Sequence, residues 1–213
     1  MRCRKENMLL YAVTDRSWTG RQTLPEQVES ALKGGVTCIQ IREKDLDETA
    51  FLEEAMLIKK LCNAYHIPLI INDNVELAIR CGADGVHVGQ SDMKASDVRA
   101  RTGENMIIGV SAQTVEQAAA AERAGADYLG VGAVFVTDTK ADATLVSRET
   151  LKSICSAVRI PVAAIGGISE KNLPQLAGTG IAGIAAVSAI FAADDIEQTC
   201  IRLKKLAGEV VGS

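Results

Sequence analysis

The chain has no C-x-x-C pair, only two histidines, no low-complexity tract and no long linker. Each of these absences removes a class of protein. His66 and His87 lack the spaced His/Cys partners of a zinc site. The six cysteines (Cys3, Cys38, Cys62, Cys81, Cys155, Cys200) are scattered. Several lie inside apolar runs, where a free thiol packs as a small hydrophobe, which favours a reducing cytoplasm. The basic start MRCRKEN precedes only the short apolar stretch Met8 to Val13. That stretch is too brief for a membrane span and has no small-residue cleavage pattern, so a soluble, cytoplasmic protein is expected. An excess of positive charge is lacking as well: the net charge is -4 and the pI about 5.3. A global attraction to nucleic acid or to an anionic membrane is therefore not expected, and any anion must be held by local groups. Without a linker or a second composition zone, 213 residues suit one domain spanning 1–213, with 1–7 as an N-terminal extension.

What is present is an alternation. Apolar, β-branched runs at Leu9–Thr14, Thr37–Ile41, Pro68–Asn72, Gly85–Gly89, Ile107–Ser111, Tyr128–Phe135, Pro161–Ile165 and Gly183–Val187 give eight candidate strands. Between them, Leu24–Lys33, Glu48–Tyr65, Val115–Ala124, Arg148–Val158 and Asp195–Ala207 have helical periodicity or composition. Thr114 with Gln117, and Ser169 with Asn172, supply helix starts. Gly34-Gly35, Gly82 and Gly125 stand where left-handed helix caps are needed. Continuous apolar strands alternating with helices imply a parallel sheet covered on its outside, and eight such units close into a barrel. No G-x-G-x-x-G follows the first strand, which disfavours an open doubly wound sheet. The fold expected is an α/β, single-domain (β/α)8 TIM barrel.

In such a barrel, chemistry belongs to the C-terminal strand ends and the loops after them. At the second strand the period of two puts Gln40 and Arg42 on the inner face, with Lys44 following onto the rim. Glu43, Lys44 and Asp45 alone would read as a solvated loop, but a glutamine inside an apolar strand needs a partner. Asp73 follows the third strand and Asp92 the fourth. Either could simply cap a helix; brought together beside a diphosphate, they form the oxygen-rich surroundings that Mg2+ prefers. Ser111 ends the fifth strand, as a substrate contact or a helix-start hydroxyl. His87 is expected as a hydrogen-bonded barrel residue. The stretch Phe135-Val136-Thr137-Asp138-Thr139-Lys140 and the turns at Gly166-Gly167 and Val187-Ser188 have the character of anion-binding loops. Two such zones suggest a substrate with phosphate at both ends, or two phosphorylated substrates. No Ser-His-Asp or Cys-His arrangement is convincing.

With these residues assembled, the chain resembles the thiamine phosphate synthase family over nearly its whole length. The resemblance is carried by Tyr11-Ala12-Val13-Thr14-Asp15, GGVTCIQIREKD, LIINDN, CGADGVHVGQSDM, IIGVSA, GADYLGVGAVFVTDTKADA, IPVAAIGGI and IAAVSAI, in that order. It implies joining of hydroxymethylpyrimidine diphosphate to a thiazole phosphate, with release of diphosphate. By similarity Gln40, Ile41, Arg42, Glu43, Lys44, Asn72, Ser111 and Lys140 hold the pyrimidine diphosphate, with Arg42, Lys44, Ser111 and Lys140 as the catalytic set. Asp73 and Asp92 bind Mg2+, and Thr137, Asp138, Thr139, Gly167, Val187 and Ser188 receive the thiazole phosphate. The sequence departs from the family at Gln113, where SAH is common, and at Val136-Thr137-Asp138, which replaces a proline-containing stretch.

The resemblance further implies a dissociative reaction. Three cationic side chains and Mg2+ set against two aspartates and a diphosphate leave the site near neutral, so the leaving group is neutralised before it departs. The aminopyrimidine delocalises the resulting cation, the thiazole nitrogen captures it, and no protein nucleophile is required. The partners expected are small-molecule substrates, with no nucleic acid and no membrane, and homo-oligomers are left open. Two rivals are a thiazole-tautomerising relative that uses acid-base chemistry, and a non-catalytic phosphate-ligand sensor. The retained REK, paired aspartates and TDTK argue against the first. Product formation from the two substrates would separate an enzyme from the second.

Overall fold

The computed structural model describes residues 3–20, 22–137 and 144–213. Eight parallel strands, β1 (Leu10–Val13), β2 (Cys38–Ile41), β3 (Leu69–Asn72), β4 (Gly85–Val88), β5 (Ile107–Ala112), β6 (Tyr128–Val131), β7 (Val162–Ile165) and β8 (Gly183–Ala186), pair in sequence order and close through β1 and β8. The helices are α1 (Leu24–Lys33), α2 (Glu48–Ala64), α3 (Val75–Cys81), α4 (Ala95–Thr102), α5 (Val115–Arg123), α6 (Arg148–Ala157), the short α7 (Ser188–Phe191) and α8 (Ile196–Val211). The architecture is the (β/α)8 barrel expected from the alternation.

Local chemistry starts these helices where the sequence marks them. Thr23 and Glu26 form a reciprocal capping box with a proline in the first turn of α1. Asp47, Asn74, Thr114, Ser147 and Asp195 each accept a first-turn backbone N–H at α2, α3, α5, α6 and α8. Gly82 ends α3 at φ +66°, and Gly125 follows α5 at φ +92°.

α3, whose end Gly82 marks in the sequence, and the polar α4 are helices as well. Two expectations change. After β7 the Ser169/Asn172 start leads only into a 3-10 turn, Leu173–Leu176. β6 stops at Val131 rather than Phe135. The backbone beyond it leaves the sheet: Val134 and Phe135 N–H donate to the carbonyls of Ile165 and Gly166, which lays the loop over the end of β7.

The period of two sorts each strand into two cores. Leu10, Ala12, Ile39, Ile41, Leu69 and Ile71 pack outward against the helices, while Met8, Tyr11, Val13, Cys38, Ile70, Ile107 and Tyr128 fill the barrel interior. Gly85, Gly109 and Gly183 face this interior, and a Cβ on any of them would meet neighbouring atoms well inside contact distance. The missing side chain of Gly109 leaves room for Tyr128 and His87, which with Tyr11 and Gln40 form the polar floor of the site.

Candidate active site

Above that floor, at the C-terminal ends of the strands, lies a cavity of about 480 Å³. It is lined by residues from the ends of all eight strands, among them Gln40, Arg42, Lys44, Asn72, Asp73, Asp92, Ser111, Thr137, Gly167, Val187 and Ser188. Of the residues singled out in the sequence, these are brought together.

Two, Ile41 and Glu43, do not line the cavity. Ile41 is fully buried in the layer between sheet and helices, because the alternation that turns Gln40 and Arg42 inward turns Ile41 outward. Glu43 faces away from the cavity and staples the loop after β2. One carboxylate oxygen pairs with Arg16, which also reaches Glu54. The other accepts the backbone N–H groups of Lys44 and Asp45, both at 2.8 Å. Burial opposes charge on Glu43, but those N–H groups and Arg16 outweigh it and hold the carboxyl below its ordinary pKa. Asp138, Thr139 and Lys140 lie outside the described residues.

At the second strand end, Arg42 is fixed by its backbone: its N–H donates to Thr14 Oγ1, a fully buried hydroxyl, at 3.1 Å. Lys44 joins Arg42 in the lining of the cavity that also holds the two aspartates. Asp73 sits at φ +62°, a left-handed conformation that costs a non-glycine residue on the order of 1 kcal/mol. Its N–H donates to the His87 carbonyl at 2.8 Å, and its carboxylate accepts from Asn72 at 2.6 Å. Asp92 accepts the Gly89 N–H at 2.7 Å. The two carboxyl groups are close enough to perturb each other. Burial first, and then the Asp92 carboxyl, push Asp73 up to about 6, with Arg42 pulling the other way.

Among the described residues no three His, Cys, Asp or Glu side chains converge as a ligand set, and what they bring together at the mouth is this pair. Two mutually repelling carboxylates fit a hard divalent ion that keeps several waters and takes its other oxygens from a phosphate.

On the opposite side, Gly166 and Gly167 turn at φ +99° and +65°, with Gly167 against the Phe135-Val136 backbone. Asn172 donates to the Gly167 carbonyl and accepts from Ser169 N–H, both at 2.8 Å, which fixes the turn. Thr137 and the Gly167 turn are thereby adjacent, with Val187 and Ser188 completing this zone of the lining.

Inside the barrel, Gln40 donates to the Tyr11 hydroxyl, and His87 is bonded through one ring nitrogen to Tyr128 and through the other to Ser111. Burial pushes the His87 pKa down to about 4, so the ring is neutral near pH 7. Sequence reasoning missed Tyr11, Tyr128 and Arg16. The tyrosines read as strand hydrophobes, though their inward parity beside Gln40 was available. Nothing local in the sequence marks Arg16 as a partner of Glu43.

A closed parallel barrel whose mouth gathers cations, paired carboxylates and glycine turns defines a (β/α)8-barrel enzyme that handles phosphorylated small molecules. The sequence profile described as thiamine monophosphate synthase matches residues 10–190. The thiamine-phosphate synthase of Ruminiclostridium cellulolyticum is 48% identical over 202 residues, 95% of this chain and 96% of that protein. The one from Clostridium acetobutylicum is 49% identical, covering 88% and 89% of the two chains. The solved thiamine phosphate pyrophosphorylase from Pyrococcus furiosus superposes with a TM-score of 0.90 at 37% identity, covering 98% of this chain and 99% of that one. The chain belongs to the thiamine monophosphate synthase family.

Proposed function

We propose that this enzyme is a transferase that joins 4-amino-2-methyl-5-(diphosphooxymethyl)pyrimidine to a thiazole phosphate, giving thiamine phosphate and diphosphate. The observation that carries the reading is the gathering of Arg42, Lys44, Asp73 and Asp92 in one cavity whose far side is the Gly166-Gly167 turn and Ser188. One zone suits a diphosphate and the other a single phosphate.

In this reading Asp73 and Asp92 hold Mg2+, which when bound neutralises charge on the diphosphate oxygens. Arg42 and Lys44 stabilise the negative charge that grows on the diphosphate as its bond to the pyrimidine methylene carbon breaks, where fixed cations lower a barrier most. Lys140 is assigned the third cation by resemblance alone. Asn72, Gln40 and Ser111 orient the pyrimidine. The bonding pair leaves with the diphosphate, the aminopyrimidine delocalises the positive charge on the methylene carbon, and the thiazole nitrogen lone pair closes the new C–N bond. Thr137, Gly167, Val187 and Ser188, with Asp138 and Thr139 by resemblance, seat the thiazole phosphate so that this nitrogen faces the methylene carbon. No protein nucleophile is called on, in keeping with a cavity that holds no activated serine or cysteine pair among its described residues. All cysteine pKa values that depart from the ordinary one are raised, the opposite of a reactive thiolate.

A diphosphate-release assay tests this reading: release should require both substrates and Mg2+. Release from the pyrimidine diphosphate at the same rate without the thiazole phosphate would make the protein a hydrolase.

A further inference from the structure

A file of five polar side chains crosses the barrel beneath the cavity. Gln40 Nε2 lies 2.5 Å from the Tyr11 hydroxyl, which lies 2.7 Å from the Tyr128 hydroxyl. The Tyr128 hydroxyl lies 3.0 Å from His87 Nδ1, and His87 Nε2 lies 3.0 Å from Ser111 Oγ. Gln40, Tyr11, His87 and Ser111 line the cavity, whereas Tyr128 is fully buried behind them and does not. We propose that Tyr128 is a positioning residue which, through His87, obliges the Ser111 hydroxyl to donate its hydrogen bond into the cavity.

The direction follows from counting protons. An amide NH2 cannot accept, so Gln40 donates to Tyr11, and in this proposal the Tyr11 proton goes to the Tyr128 oxygen rather than into the cavity. The Tyr128 proton then has one partner left, His87 Nδ1. A neutral imidazole that accepts at Nδ1 carries its proton on Nε2 and donates it to Ser111 Oγ. The Ser111 proton is left for the cavity. Turning the Gln40 amide over would reverse every bond and make Ser111 an acceptor toward substrate, so the tautomer of His87 reports the direction of the whole file.

The barrel keeps room for this arrangement. A Cβ on Gly109 would collide with the Tyr128 phenol and with His87 Nδ1, and one on Gly130 would come within 3.1 Å of His87 Cε1. The two tyrosine rings meet edge to face with centroids 5.8 Å apart, and His87 lies 5.5 Å from Tyr128, so Tyr128 has little freedom to turn away. Buried polar files of this kind are rigid because each unmade bond leaves a desolvated group.

The proposal rests on the pyrimidine-binding role given to Ser111 above, but its first measurement needs no substrate. In protein labelled with 15N-histidine, long-range proton–nitrogen spectra read the tautomer, and a His66→Gln variant removes the only other histidine signal. His87 should carry its proton on Nε2 near pH 7; a proton on Nδ1 would overturn the proposal. In Tyr128→Phe the tautomer preference should be lost, and kcat should fall roughly tenfold, the worth of about one hydrogen bond, with the KM for thiazole phosphate unchanged. In a Ser111→Ala background the same substitution should leave kcat where it was, since the group it positions is gone. Equal losses in both backgrounds would reduce Tyr128 to packing. If Tyr128→Phe does not fold, the wild-type tautomer still decides the direction. If diphosphate release fails with wild type while His87 carries its proton on Nε2, the reaction assignment fails and the file's direction stands.

Discussion

Asp73 and Asp92 repel each other when both are ionised, and neither caps a helix, which suits the cation site proposed for them. Asp92→Ala relieves the repulsion but removes one of the two proposed Mg2+ ligands, so kcat should fall by about a hundredfold and the Mg2+ concentration needed for half-maximal rate should rise. Steady-state rates across a Mg2+ titration check this. Ser188→Asp puts a carboxylate beside the proposed monophosphate seat and should raise the KM for thiazole phosphate at least tenfold, with the KM for the pyrimidine diphosphate nearly unchanged. Unchanged kinetics in both variants would remove the site assignment. His87 gives a stability signal of definite sign. Its folded pKa is about 4, below the ordinary 6.5, so between these values the unfolded chain binds more protons. Its contribution is fully present above about pH 6.5 and is lost as the pH falls through 4, amounting to about 3 kcal/mol. Asp73, raised to about 6 from 3.8, acts oppositely, stabilising at low pH and losing that as pH rises, but it is half-exposed and screened. The difference between wild type and His87→Gln in denaturant melts from pH 4 to 7 isolates the histidine, and a flat difference would contradict its burial as a neutral ring. At this scale, parity along the strand was enough to find Gln40 and Arg42. It also argued against Ile41, which entered by resemblance to a contiguous motif. Glu43 was beyond sequence reasoning, because its partner Arg16 comes from another segment.

Elements in this chain were legible where an end signal and a long apolar period coincide. α1, with its capping box, and α6, with Ser147 as cap, start where the pattern places them, whereas α4 has no side-chain cap and only Ala95 and Val98 buried. β6 was overrun because Ala133, Val134 and Phe135 remain apolar after the strand has ended; they cover the end of β7 instead of pairing within the barrel, a tertiary fact with no local signature. The loop after β2 tests how an element positions a site. Arg16→Gln leaves Glu43, whose side chain is 2% exposed, with its backbone bonds but no countercharge. We expect a loss of about 2 kcal/mol in denaturant unfolding, discounted for the part-exposed arginine, together with a higher KM for the pyrimidine diphosphate as Arg42 and Lys44 lose their fixed loop. α8 offers a control of opposite sign. Gly208 lies on its exposed face, and a Cβ there meets nothing within 4 Å. Gly208→Ala should therefore stabilise by about 0.5 to 1 kcal/mol with no change in activity, read in the same melts.

For the whole molecule, the decisive event is closure, when the last strand meets the first across nearly the full length of the chain. The alternation of eight apolar runs with helices made a barrel the natural reading, but the quality of the seam is set by residues that seem featureless in sequence. Gly183 opens β8 facing inward, and a Cβ there would strike the Met8 carbonyl and the Leu9 Cα. Both are backbone atoms, and they belong to the segment that brings Leu10 beside Ile184. A flexible side chain could swing aside; a backbone that is itself part of the β1–β8 pairing cannot move without loosening the ladder. Gly183→Ala should therefore destabilise by about 3 kcal/mol, the upper end for overpacking, although it adds one methyl group and removes nothing. The loss should extend beyond the seam, since Tyr11 lies on β1 opposite Ala185 and carries the polar file toward the cavity. Hydrogen exchange should accordingly show faster opening of β1 and β8 before the other strands, and kcat should fall with the substrate KM values less affected. If exchange rises evenly around the barrel, or the variant is as stable as wild type, then closure is not held by the fit at this seam, and the cooperativity of the fold must come from its layer of helices.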